Sequence, residues 1–100
     1  MAQELEIVRI PVQPTSAHAL LDALQAARTG YLSAPACQAL SLLLNEAADE
    51  VVAIVTWDSA AAHNEAAQSP DAEPFFKLVT QFANGRPDVR RYHPARDRGA

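Results

Sequence analysis

One hundred residues, 49% of them apolar and 20% charged, with a formal net charge of −4, describe one small globular domain that buries roughly two-thirds of its unfolded surface. This composition excludes wholesale disorder, the acidic balance supplies no basic stripe for nucleic acid, and no apolar run approaches the roughly 20 residues that span a bilayer. A lone Cys37 forbids an intramolecular disulfide. Together with Met1-Ala2-Gln3-Glu4, which lacks the basic start and apolar stretch of a signal peptide, it predicts a soluble cytoplasmic protein.

The chain opens with an alternating strand over residues 4–12, Leu5 and Ile7 against Glu4 and Glu6, continuing through Val8, Ile10 and Val12. Pro11 and Pro14 bracket its exit, and a proline so late predicts an edge strand or a bulge. Thr15 or Ser16 caps a helix in which Leu20, Leu21, Leu24, Ala27 and Tyr31 share one face while Asp22, Gln25 and Arg28 meet water. Gly30 predicts its end. Pro35 begins a short link, and residues 36–45 are nearly continuously apolar. Their leucine content is compatible with helix, but Pro35 and the turn-like Asn45-Glu46-Ala47-Ala48-Asp49-Glu50 assign them to a strand.

Val51-Val52-Ala53-Ile54-Val55-Thr56-Trp57 is the clearest strand. It ends in the chain's one tryptophan and turns at once, through Asp58 or Ser59 as cap, into a helix over 60–67 that carries His63 about two turns along. Ser69-Pro70-Asp71 punctuates. Phe75, Phe76, Leu78, Val79 and Phe82 then form one face of a further helix, stopped by Asn84-Gly85, before a short last strand over 88–93. Residues 1–94 read as a single domain and 95–100 as a flexible tail.

The order β-α-β-β-α-α-β is the split βαβ arrangement of ferredoxin-like folds, an α+β class with a four-stranded antiparallel sheet and helices on one face. The second and third strands are apolar at both parities, Leu42 and Leu44 against Leu43, and Val51, Ala53 and Val55 against Val52 and Ile54. Such strands require cover on both faces. The chain has nothing left to supply it, so a second copy packed sheet to sheet is predicted, a homodimer forming a dimeric α+β barrel.

Trp57 and His63 converge on one mouth of the sheet. Trp57 serves as core anchor or as pocket wall, and His63 as pocket group or as an exposed helix residue. Tyr31, Tyr92 and one ring of the phenylalanine stripe, Phe76, are candidates to line a cleft, the two tyrosines being equally suited to a dimer contact. His18 and His93 read as surface residues and Cys37 as a small buried hydrophobe. The sequence holds no histidine pair at i,i+4, no carboxylate cluster of metal spacing, no Gly-rich phosphate loop, no nucleophile elbow and no Cys-x-x-Cys. Neither a metal nor a cofactor is expected. Five of the eight basic residues, Arg86, Arg90, Arg91, Arg96 and Arg98, crowd the last fifteen positions, as a solvated strand and tail or as a site for an anion or carboxylate.

The pattern Trp57-x-Ser59-x-x-Ala62-His63, preceded by Ile54-Val55-Thr56 and followed by Ser69-Pro70 and the phenylalanine-rich helix, resembles the antibiotic biosynthesis monooxygenase domain of the dimeric α+β barrel superfamily. The likeness spans residues 5 to 93. It implies the fold above and a small hydrophobic or aromatic metabolite as partner. The family spans cofactor-independent quinone-forming monooxygenases, haem-degrading enzymes and small-molecule isomerases. In the cofactor-free branch an asparagine precedes the tryptophan by four residues and a tyrosine follows it by six; here those positions are Ala53 and His63. The haem-degrading branch fits less well, since residues 4–12 lack its asparagine. The resemblance thus implies oxidation of a small aromatic or quinone-type molecule without a cofactor, Trp57 stacking on it and His63 drawing a proton from its hydroxyl. The alternative is a non-catalytic dimeric module of the same fold that binds a small molecule or packs with partners.

Overall fold

The computed structural model describes residues 3–32, 37–68, 70 and 73–94. Its elements are β1 (Glu4–Pro11), α1 (Pro14–Leu32), β2 (Cys37–Leu44), β3 (Glu50–Trp57), α2 (Ala60–Ala67), α3 (Glu73–Phe82) and β4 (Asp88–Tyr92). The strands form one antiparallel sheet in the order β2-β3-β1-β4. This is the ferredoxin-like α+β arrangement expected from the order of elements. The Ser69-Asp71 junction apart from Pro70, and the tail over 95–100, lie outside the described residues.

β1 is not an edge strand. It lies between β3 and β4, and it pairs with β3 without interruption from Glu4 to Pro11. Pro11 is tolerated because it closes the strand, where its missing N–H interrupts no central ladder, while its carbonyl accepts from the Asn84 N–H at 2.6 Å. The irregularity in the sheet sits in β2 instead, between Cys37 and Ala39. The β2–β3 turn is tied by the Asn45 side chain, whose Oδ1 accepts from the Asp49 and Glu50 backbone N–H groups at 3.0 and 2.9 Å.

α1 begins at Pro14, ahead of the expected caps, with the Ser16 N–H donating to the Gln13 carbonyl at 2.8 Å. Proline suits a helix's first turn. The helix also runs past Gly30 to Leu32, since one glycine costs a helix only about 1 kcal/mol relative to alanine and two ordinary residues follow it.

One face of the sheet carries the core. Val8 and Ile10 of β1, Val51, Ala53 and Val55 of β3, and Leu40 of β2 are buried with Ala17, Leu20 and Leu24 of α1 and Phe75 and Val79 of α3. The other face, with Leu5, Ile7, Val52 and Ile54 half-buried and Leu43 50% exposed, is covered by no described element.

Candidate active site

The β3–α2 corner is set by a short chain of local causes. Ser59 has extended backbone angles, and its Oγ accepts from the Ala62 N–H at 3.1 Å, so Ser59 rather than Asp58 is the cap of α2. The helix starts at once after it. His63 therefore lies one turn into α2, closer to the corner than expected, and its backbone N–H donates to the Ser59 carbonyl at 3.0 Å. From there the imidazole folds back over the strand end and stacks flat on Trp57, with ring centroids 4.7 Å apart and planes within 7°.

The partners of that imidazole come from β1. The strand keeps one parity throughout, so Val8 and Ile10 on the helix-covered face bring Glu4 and Glu6 to the same face. Glu4 Oε1 meets His63 Nδ1, and Glu6 Oε2 lies 3.3 Å from Nε2. Trp57, His63 and Glu4 are each 1% exposed and Glu6 6%. A neutral imidazole offers one donor and one acceptor, whereas a carboxylate only accepts. Both ring nitrogens face carboxylates, so all contacts are satisfied when an imidazolium donates on both sides. Arg91 of β4 completes the charge balance: its Nε is 3.9 Å from Glu4 Oε1 and its Nη1 donates to Asn64 Oδ1 of α2 at 2.9 Å. Ionised groups this deeply buried persist only when paired. An imidazolium face-on to an indole is also attractive in its own right.

Between α3 and the sheet lies a cleft of about 560 Å³, within the range that holds a small ligand. Val8, Val55, Phe75, Phe76, Val79 and Thr80 form its body, and Arg86, Pro87, Asp88 and Val89 its rim. Glu6 lines it too. Glu6 thus has one side on the cleft and the other on His63. A larger hollow of about 690 Å³ on the outer side of α3, lined by Gln68, Pro70, Glu73, Lys77 and Gln81 among others, is shallower and contains no buried ionisable group, in contrast to the cleft with Glu6.

Trp57 and His63 therefore come together, as the corner pattern predicts, but behind the cleft wall rather than in it. Phe76 lines the cleft. Tyr92 pairs with Leu5 across the β1–β4 ladder and so projects from the uncovered face, 47% exposed, away from the cleft. The side chain of Tyr31 lies outside the described residues. His18 and His93 are exposed. Cys37 is buried, and burial, together with the charge of Glu6, raises its thiol above the ordinary value of 9.0. Among the described residues no group of His, Cys, Asp and Glu is arranged to hold a metal ion, and no helix is long and apolar enough to cross a membrane. Sequence reading alone did not identify Glu4 and Glu6 as site residues. The signal was present in the even positions of β1, where two carboxylates share a parity with Val8, Ile10 and Val12.

The sequence profile of the antibiotic biosynthesis monooxygenase family matches residues 5–78. No curated protein matches the chain by sequence. Among solved structures, Rv0793 of Mycobacterium tuberculosis superposes with a TM-score of 0.81 at 21% identity, over 95% of this chain and 97% of that one. A Bordetella bronchiseptica protein assigned to the antibiotic biosynthesis monooxygenases gives 0.81 at 24% identity, over 92% and 96%. The ActVA-Orf6 monooxygenase of Streptomyces coelicolor, solved with nanaomycin D, gives 0.81 at 18% identity, over 96% and 90%. At these identities the superpositions speak for the fold. With the profile covering most of the chain and the fold shared from end to end, the protein belongs to the antibiotic biosynthesis monooxygenase family.

Proposed function

We propose that the protein oxidises a small hydroxyaromatic or quinol-type substrate directly with dioxygen, in the cleft between α3 and the sheet, without a cofactor. One observation carries this reading: Glu6 is at once part of the cleft wall and the partner of a buried, doubly bridged histidine. A substrate lying along Val8 and Val55 and under Phe75 and Phe76 presents its hydroxyl to Glu6, which takes the proton. His63, held by Glu4 and stacked on Trp57, fixes the position of the Glu6 carboxylate. The cleft's proton acceptor is thus Glu6, with His63 behind it. The resulting phenolate or carbanion is electron-rich enough to reduce oxygen itself. Dioxygen then takes four electrons: one oxygen atom becomes the new carbonyl on a ring carbon, and the other leaves as water with the hydrogen of that carbon and the hydroxyl proton that Glu6 took.

The active form in this proposal is a homodimer. The uncovered face, with Leu5, Ile7, Leu43, Val52 and Ile54, is a sheet surface that a second copy buries, and Tyr92 becomes a contact there. A stable monomer by sedimentation at micromolar concentration overturns this part.

Oxygen uptake with a panel of hydroquinones and anthrones tests the chemistry. Turnover by the wild type should fall by about 10²-fold or more in Glu6→Gln, which keeps the shape but accepts no proton. No uptake across the panel removes the oxygenase reading. A second reading, a non-catalytic dimeric module binding the same class of molecule, is favoured by Ala53. That buried residue places a methyl group where the cofactor-free branch has an amide to direct oxygen. Binding without uptake decides for it.

A further inference from the structure

We infer that the ligand of the cleft carries an acidic group, a carboxylate at the end remote from its hydroxyl, and that Arg86 reads it. The inference rests on the cleft being the substrate site. Three charged residues line that cleft: Glu6, Asp88 and Arg86. Two are committed. Glu6 is paired with His63. Asp88 lies in register with Arg9, a residue of the uncovered face, and its Oδ2 accepts from Arg90 Nε at 3.1 Å; Arg90 shares that face through its pairing with Ile7. The Asp88 carboxylate is thus turned away from the cleft. Arg86 has no ion-pair or hydrogen-bond partner among the described residues, so the one uncommitted charge in the cleft wall is positive, in a protein of net charge −4.

The basic run near the carboxyl end is accordingly not one patch. Arg90 serves the uncovered face and Arg91 the Glu4 side of the buried cluster, so that among the described residues of the run Arg86 alone lines the cleft. Its backbone is held in place from both sides. The preceding Gly85 has φ +124°, open to glycine and strained for other residues, and packs beside Pro11, where an added Cβ would sit 3.4 Å from Cγ. Asn84 is tied to the Pro11 carbonyl, and Pro87 restricts the following backbone. Along β1, Asp88 pairs with Arg9, three residues beyond Glu6, or about 10 Å at the strand rise, and Arg86 lies further along still. A rigid body of two or three fused rings, apolar in the middle like Val8, Val55 and Phe76, spans hydroxyl to carboxylate over that length.

Titration calorimetry with 6-hydroxy-2-naphthoate and with 2-naphthol tests this on the wild type, Arg86→Gln and Arg90→Gln. The wild type should bind the acid about tenfold more tightly than the neutral naphthol, the gain of one charge-assisted contact. Arg86→Gln should erase that preference and leave naphthol binding unchanged; Arg90→Gln should change neither. Equal binding of the two ligands, no binding of either, or a preference that survives Arg86→Gln or is lost in Arg90→Gln, overturns the inference. Oxygen uptake is read separately. An acid preference without uptake sustains Arg86 and removes the oxygenase, while uptake without an acid preference does the reverse.

Discussion

Replacing His63 by alanine tests the buried charge cluster most severely. The substitution deletes a ring that touches Trp57, Glu4 and Glu6 and leaves two carboxylates, both nearly inaccessible to water, facing an empty space. Removing one partner of a buried ion pair costs about 3–5 kcal/mol, because the remaining charge is left unpaired. Arg91 offsets little of this, being 3.9 Å from Glu4 and 45% exposed at its side chain. A domain of this size has on the order of 5–15 kcal/mol in total, and each 1 kcal/mol lowers its melting temperature by about 4–8 °C. His63→Ala should therefore melt at least about 12 °C below the wild type at pH 7, followed by circular dichroism. Glu6→Gln added to His63→Ala should raise stability at pH 7 rather than lower it further. A loss under about 1 kcal/mol refutes the reasoning. The cluster would then not hold buried charge.

Three further outcomes follow from individual contacts. Ser59→Ala removes the acceptor for the Ala62 N–H and should cost about 1 kcal/mol in urea titration, because α2 is only eight residues long and has little else to fix its start. Leu43→Glu, at a half-exposed position of the uncovered face, should leave the monomer's stability within about 0.5 kcal/mol yet shift sedimentation from dimer to monomer. The Cys37 thiol should resist a disulfide reagent at about pH 8 in the folded protein and react at once in denaturant. Its folded value is raised by burial, so the folded chain holds the thiol proton where the unfolded chain has lost it. Its contribution is fully present below 9.0 and is lost as the pH rises through the folded value; a stability rising over that interval contradicts it.

The fold was legible in the sequence wherever one signal dominated. Val51 to Trp57 has no helical reading, and its β-branched run ends at a side-chain cap, so both strand and corner follow. Phe75, Val79 and Phe82 repeat at helical spacing and face the core. The start and end of α1 were less legible, because Pro14, Ser16 and Gly30 each carry a weak preference of about 1 kcal/mol or less that tertiary packing overrides. The position of β1 in the sheet was obscured by Pro11, whose meaning depends on whether it falls inside the ladder or at its last rung. One residue decides between those readings, and only the neighbouring strands show which holds.

The site was harder to read, for a definite reason. In β1 the alternation of Leu5 and Ile7 with Glu4 and Glu6, taken by itself, sends the carboxylates to water. The alternation of Val8, Ile10 and Val12 sends the same parity inward. A strand without a bulge must satisfy one pattern, and burying three β-branched residues at about 1.5–3 kcal/mol each outweighs exposing them. The cost of carrying two carboxylates inward is met by a group 57 or more positions away in sequence, His63. Hydrophobic patterning therefore places Val8 and Ile10 correctly and is silent on Glu4 and Glu6, because the residue that makes their burial tolerable is a neighbour only after β1 and β3 have paired. The imidazole gains its two partners, and the cleft its acidic wall, in the same step that fixes the register between Glu4 and Trp57. A one-residue slip of β1 would send both carboxylates to the uncovered face, strand His63 and take Glu6 out of the cleft wall. Fold and candidate chemistry depend on the same register.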